Sequence, residues 1–267
     1  MNRPLVETVA LTKDFPLRRP ALCRLFARRP RFLRAVDHVS LAIQEGETLG
    51  LVGESGSGKS SLSRLLMRLM LATSGRILFD GQDVTDWCGR RLRALRRQMQ
   101  IVFQDPYASL NPRQSVRQIL DLPLRLHFRM TWSERRRRID QLLVQVGLSP
   151  EHAGNLPHQL SGGMRQRVAV ARALAVQPRF IALDEPVSAL DVSIQAQVLA
   201  LLRRLQSEFR LTYLFISHDL GVVSQLADRV AVMERGRIVE VGETGQIMER
   251  PEHPYTQTLL ASAPRLP

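Results

Sequence analysis

Eight consecutive residues constrain this chain more than any other feature: Gly53-Glu54-Ser55-Gly56-Ser57-Gly58-Lys59-Ser60. They fit the pattern G-x-x-x-x-G-K-[ST], and the pattern has mechanical meaning only between a strand and a helix. Both flanks comply. Thr48 to Val52 reads as a buried strand, and Lys59 to Leu71 as a helix whose apolar face is Leu62, Leu65, Leu66 and Leu69. Glycines in such a turn let backbone N–H groups curl around phosphate oxygens without Cβ clashes, and the helix that follows points its partial positive end at them. Lys59 would then contact the β- and γ-phosphates of a nucleotide, and Ser60 would ligate Mg²⁺.

The rest of the 267 residues alternates apolar β-type runs with helical patterns, which predicts an α/β domain built on a mostly parallel sheet. Arg76 to Phe79, ended by Asp80-Gly81, and Gln100 to Phe103 read as strands. From Asp105 to about Pro157 the pattern turns to polar loops and helices, an expected helical insertion. Within it, Thr131 and Glu134 form a capping box for a helix running to about Val146. Strands resume at Phe180 to Leu183 and Thr212 to Ile216, separated by a helix for which Asp191 serves as N-cap. Arg229 to Met233 and Arg237 to Val241 make a hairpin through Gly236, and Tyr255 to Ser262 is a short helical run. No internal repeat is present, which excludes solenoids and propellers. The whole chain, 1–267, reads as one domain, with an extension from about 243 to 267.

Two further sites carry chemistry. Phe180 to Pro186 is an apolar run ending in Asp184 and Glu185. A buried strand delivering Asp184 to its carboxyl end is suited to holding Mg²⁺, and Glu185 beside it could orient or deprotonate an attacking water. Taken alone, an acidic pair after a strand is also a common turn or helix cap. Ser161, Gly162 and Gly163 open a second helix with a capping serine and two glycines, an anion-ready start or an ordinary capped helix.

Charge is the unusual part of the composition. Lys plus Arg number 38 against 25 Asp plus Glu, a net +13, and Lys13 and Lys59 are the only lysines. The excess asks for an anionic partner, nucleic acid, a membrane surface or a phosphorylated ligand, although a genome-wide codon bias produces the same arginine skew. Nine basic residues stand against two acidic ones in residues 1 to 35, much of them in Pro16 to Arg34 with Leu22, Leu25, Phe26 and Phe32 interleaved. That segment would face anionic lipid or solvent. Further clusters are Arg90, Arg91, Arg93, Arg96 and Arg97, and Arg135 to Arg138. Cys23 and Cys88 have no metal-site spacing and no disulfide framework, and neither a membrane span nor a signal-peptide core is evident. A soluble cytoplasmic protein is expected.

Gly53 to Ser60, Gln104, Leu160 to Gln166, Asp184 with Glu185, Ser188 to Asp191, and His218 occur in the order found in ATP-binding cassette ATPases. The match resembles that family's Walker A, Q-loop, signature, Walker B, D-loop and H-loop and covers nearly the whole chain. Met164 departs from it, standing where the family commonly has glutamine. The resemblance implies a P-loop NTPase core of RecA type with an antiparallel β subdomain and an inserted helical subdomain. It also implies ATP and Mg²⁺ as ligands and an ATPase cycle in which two cassettes close head to tail, the Walker A of one facing the signature of the other. By the same resemblance Gly53 to Ser60 and Ser61 contact nucleotide, as do Ser161, Gly162 and Gly163 from the facing cassette. Ser60, Gln104 and Asp184 hold the metal, Glu185 acts on water, His218 contacts the γ-phosphate, Asp191 links the two sites, and Phe15 stacks on adenine.

Phe103 to Arg113 together with Pro251 to Leu260 is similar to the ATPases of oligopeptide, dipeptide and nickel importers. That similarity implies a heterodimer of related ATPases under two permease subunits at the cytoplasmic face of the membrane, fed by an extracytoplasmic solute-binding protein. Some relatives carry an iron-sulfur centre near the C-terminus; no cysteine follows Cys88, so none is expected here. An exporter ATPase and a nucleic-acid-handling cassette are the alternatives. The second lacks its usual coiled coils, zinc-binding cysteines or second cassette, so no specific nucleic acid is expected as partner.

Overall fold

The computed structural model describes residues 3–17 and 32–262. Most of the arginine-rich segment between Pro16 and Arg34, including Cys23, Leu22, Leu25 and Phe26, lies outside those residues. Among the described residues ten strands form two sheets. The first is antiparallel, in the order β2 (Phe32–Ile43), β1 (Val6–Pro16), β4 (Ser74–Phe79), β5 (Gln82–Asp83). In the second the order is β10 (Arg237–Glu243), β9 (Arg229–Glu234), β3 (Thr48–Val52), β8 (Thr212–Ile216), β7 (Phe180–Asp184), β6 (Met99–Val102). Its pairs are parallel except for the β9–β10 hairpin at one edge.

The continuous apolar runs of β3, β7 and β8 follow from burial on both faces. Alternate residues serve alternate faces. Leu49, Leu51, Phe180, Ala182, Leu214 and Ile216 join a core with β1, β2, β4 and α1 (Lys59–Leu66), whereas Ile181, Leu183, Tyr213 and Phe215 join the core beneath the helices Gly162–Leu174 and Val192–Phe209. Each fully buried side chain of this size contributes about 1.5–3 kcal/mol relative to exposure.

The helical insertion is present as α3 (Pro106–Ser109), α4 (Val116–His127), α5 (Trp132–Gln145) and two 3₁₀ turns, leading into α6 (Gly162–Leu174). The capping box forms as the spacing predicts: Glu134 N donates to Thr131 Oγ1 at 3.4 Å and Thr131 N to Glu134 Oε2 at 2.6 Å. A second, Ser115 with Gln118, opens α4. The helix α7 (Val192–Phe209) follows Asp191, α8 (Leu220–Ser224) follows β8, and α9 (Thr244–Glu249) and α10 (Pro254–Ser262) close the described chain.

Three expectations need correction. The helix after the glycine-rich turn ends at Leu66, not Leu71. Arg68 takes a left-handed conformation with φ 51°, fixed by its guanidinium donating to the carbonyls of Val84 and Trp87, so Leu69 is 48% exposed rather than buried. Asp191 occupies the N-cap position of α7, but its side chain makes no capping hydrogen bond. Strands β1 and β2 have no counterpart in the sequence reading, because register shifts at Thr8/Leu11, Leu11/Lys13 and Lys13/Asp14 break the period-two alternation that marks a strand. The arginine cluster Arg90 to Arg97 lies on α2 (Gly89–Gln98), which buries only Leu95.

Candidate functional site: a cavity at four strand ends

Four adjacent strands of the parallel sheet, β3, β8, β7 and β6, each deliver one group at the carboxyl end. The glycine-rich turn follows β3, His218 follows β8, Asp184 and Glu185 end β7, and Gln104 follows β6. That edge is where open α/β sheets place ligands. A cavity of about 760 Å³ opens there, lined by Glu54, Ser55, Gly56, Gly58, Lys59, Ser60, Ser61, Gln104, Glu185 and His218, with Phe15, Leu33, Ala35 and Leu259 as its apolar wall.

The loop conformation requires glycine at two positions. Gly53 has φ 148° and a Cβ there would run into the Met233 carbonyl oxygen; Gly58 has φ 109° and a Cβ would run into that of Ala35. The β9–β10 turn holds the loop from behind, since Gly236 N donates to Ser57 O at 2.8 Å. Lys59 is buried, and its ammonium donates to Gly53 O at 2.6 Å and Glu54 O at 2.8 Å. Burial pulls that ammonium below the ordinary lysine range, against the opposing pull of Glu185, Asp184 and Glu54. Its donors rest on neutral carbonyls, which are weaker partners for an ammonium than anionic oxygens would be.

Ser60 Oγ donates to Asp184 Oδ1 at 3.0 Å, across 124 residues of sequence. Burial pushes the Asp184 carboxyl up from the usual range, opposed by the Ser60 hydroxyl and the Arg64 charge. A hydroxyl and a carboxylate so placed beside a phosphate cradle fit a hard divalent cation completed by phosphate oxygens and water. Among the described residues no three His, Cys, Asp or Glu side chains gather into a cage of their own.

Glu185 has φ 48°, a left-handed conformation unusual for a non-glycine residue, held by its N–H donating to Ile216 O at 3.0 Å. Its carboxylate is gripped on both oxygens. Gln104 Nε2 donates to Oε2 at 2.8 Å, and His218 Nδ1 stands 3.3 Å from Oε1. Phe15, near the end of β1, has the Lys13 ammonium 5.3 Å from its ring centroid. Ser161 caps α6 by accepting from Met164 N at 3.3 Å, while Gly163 is buried against Ile194. Ser161, Gly162, Gly163 and Asp191 do not line the cavity.

Residues 36–188 match the family model described as ABC transporter. Oligopeptide transport ATP-binding protein AppF of Bacillus subtilis is 50% identical over 259 residues, 97% of this chain and 79% of that protein. The chain belongs to the ABC transporter family. Its ATP-binding cassette carries, over residues 239–267, a match to the model described as oligopeptide/dipeptide transporter, C-terminal region. Glutathione import ATP-binding protein GsiA of Escherichia coli is 49% identical over 98% of this chain, and the chain spans 42% of that relative's length. Among solved structures, the cassette superposes on a dimeric post-hydrolysis state of the ATP-binding cassette MJ0796 bound to ADP and Pi, with TM-score 0.78, 30% identity, and coverage of 90% of this chain and 98% of that one. It also superposes on cbiO1 from Clostridium perfringens, part of the transporter complex cbiONQ, with TM-score 0.79, 26% identity, and coverage of 94% and 93%. The cassette is thus an α/β ABC ATPase with an antiparallel and a mostly parallel sheet.

Sequence reasoning missed Leu33 and Ala35, because β2 carried no readable alternation. It placed Tyr255 and Leu259 in a family motif but neither of them at the site. The cassette puts Leu259 in the cavity wall and Tyr255 against the glycine-rich loop, where Glu54 N donates to its hydroxyl at 3.1 Å.

Proposed function

We propose that this cassette is the ATP-hydrolysing subunit of an importer for oligopeptides or dipeptides. The observation that carries the reading is the C-terminal region: residues 239–267 match the oligopeptide/dipeptide model, and they pack on the cassette's own core through Val239 of β10 and through Ile247, Met248 and Tyr255 of the two helices that follow. The name of AppF supports the same solute class.

The chemistry follows from the strand-end groups. The glycine-rich loop and Lys59 bind the β- and γ-phosphates of ATP, the ammonium exchanging neutral carbonyl partners for anionic oxygens. Phe15 offers a ring face to the adenine, with Leu33 and Ala35 beside it. Ser60 and Asp184, with Gln104, hold Mg²⁺. When bound, that ion neutralises charge developing on the phosphate oxygens. Glu185 orients a water and accepts its proton as the γ-phosphoryl transfers, Gln104 fixes the carboxylate, and His218 contacts the γ-phosphate. Because Ser161, Gly162, Gly163 and Asp191 stand away from the cavity, they serve a facing cassette. The dimeric form of MJ0796 supports a cassette that works as a pair; here the pair is two homologous but different ATPases closing head to tail.

No helix among the described residues is long and apolar enough to cross a membrane. In this reading the cassette docks peripherally, at the cytoplasmic face, on two permease subunits served by an extracytoplasmic solute-binding protein. The test is uptake of labelled di- and oligopeptides by cells lacking this gene. Uptake should be lost, then restored by the wild-type chain and not by Lys59→Ala. Undiminished uptake with impaired efflux would instead identify an exporter.

A further inference from the structure

The phosphate loop is held from a direction that its own motif does not account for. Glu54, the second residue of the loop, is gripped on both sides of its backbone: Lys59 Nζ donates to its carbonyl at 2.8 Å, and its N–H donates to the Tyr255 hydroxyl at 3.1 Å, a contact spanning 201 residues. Tyr255 belongs to α10, whose position is itself fixed. Glu240 on β10 accepts from Glu252 N at 2.9 Å and from His253 N at 3.1 Å, and His253 Nδ1 accepts from Tyr255 N at 3.2 Å. Accepting at Nδ1 fixes the neutral ring as the Nε2–H tautomer. The next residue, Thr256, is fully buried, and one turn on Leu259 lines the nucleotide cavity.

A continuous chain of contacts therefore runs from β10 through Glu240, His253 and Tyr255 to Glu54. The β9–β10 turn meets the same loop three residues further on, at Ser57 O. Thus two parts of one C-terminal hairpin-and-helix unit grip the loop at separate points. When Lys59 turns toward a phosphate it loosens its hold on the Glu54 carbonyl, which still accepts from Ser57 N at 3.1 Å, while the Tyr255 hydroxyl goes on holding the Glu54 N–H. Burial pushes the Tyr255 hydroxyl above the ordinary tyrosine range, so it stays protonated at neutral pH, a neutral acceptor for Glu54 N–H.

We propose that Tyr255 is a positioning residue of the nucleotide site, pinning the Glu54 amide so that the C-terminal region sets the geometry in which the phosphate loop meets the β- and γ-phosphates of ATP. Leu259 extends the same helix into the wall of the site. The inference rests on reading Gly53 to Ser60 as the phosphate loop.

The test uses the full chain and compares wild type with Tyr255→Phe, which deletes one oxygen and keeps the ring packing. Two quantities are read: the Kd values of ATP and AMP, and hydrogen–deuterium exchange of the peptide covering residues 53–58. Loss of one such hydrogen bond should raise the ATP Kd about fivefold, leave the AMP Kd unchanged, and speed exchange at 53–58 while the β7 segment 180–184 keeps its protection. A variant that loses protection at 180–184 as well, or weakens AMP and ATP equally, would make Tyr255 a general packing residue and overturn the proposal. An unchanged ATP Kd would overturn it too, whatever exchange does. Lys59→Ala serves as the separate control. ATP binding undiminished in that variant would mean the phosphate loop itself is misassigned.

Discussion

Gln104 donates its side-chain amide to the Glu185 carboxylate at 2.8 Å, tying the end of β6 to the end of β7. Since Gln104 stands one residue before the helical insertion, movement of that insertion relative to the sheet would be felt at Glu185. Gln104→Ala should lower ATP turnover about 10²-fold, the low end of what misplacing a proton acceptor costs, while the ATP Kd measured without Mg²⁺ stays within about twofold. Steady-state turnover and equilibrium binding on the same preparation check this; an unchanged turnover would show that Glu185 needs no such tether.

Asp184 carries a cost in the nucleotide-free protein. Its folded-state pKa is raised by burial, so the stability it contributes is present below the unfolded value and lost as pH rises through the folded one. At pH 7 the ionised form is therefore a net penalty. Asp184→Asn should raise the melting temperature of the nucleotide-free chain and abolish the Mg²⁺ dependence of ATP binding. Thermal melts with and without Mg²⁺-ATP read both effects. A lower melting temperature for the free variant would contradict the assignment of burial as the dominant influence.

Lys59 gives the opposite pH limb. Burial holds its ammonium below the usual lysine range, and binding a triphosphate restores favour to the charged form. ATP affinity should consequently fall as pH rises, beginning below the ordinary lysine pKa, with proton uptake on binding in that interval. Calorimetry in buffers of different ionisation enthalpy measures the uptake directly, and a flat affinity up to about pH 10, the ordinary lysine value, would be the contrary result.

Phe15 has one ring face near Lys13 and contributes to the cavity wall. Stacking on a base is worth about 1–3 kcal/mol by alanine substitution, so Phe15→Ala should weaken ATP at least about fivefold and weaken AMP by a similar factor. The parallel loss with both nucleotides distinguishes it from Tyr255→Phe. A loss confined to ATP would remove Phe15 from the base end.

Much of the fold was legible in the chain alone, for identifiable reasons. Strands β3, β7 and β8 are buried on both faces and announce themselves as apolar runs, and the groups at their ends follow from the rule that parallel sheets bind ligands at carboxyl ends. The Thr131–Glu134 capping box is a local contact, so four residues of sequence suffice to predict it. Strands β1 and β2 were not legible because bulges scramble their alternation, and with them went Leu33 and Ala35. Leu69 was misread because a left-handed Arg68, anchored to carbonyls 16 and 19 residues away, ends the helix early. Tyr255 meets Glu54 only through the tertiary fold. No local pattern encodes a contact of that separation.

The central claim, that the four strand ends form a site that hydrolyses ATP with Glu185 acting on the attacking water, is tested most directly by single-turnover phosphate release from Glu185→Gln. The variant should bind Mg²⁺-ATP with wild-type affinity and release inorganic phosphate about 10²- to 10⁴-fold more slowly. Phosphate release at the wild-type rate would contradict that role for Glu185.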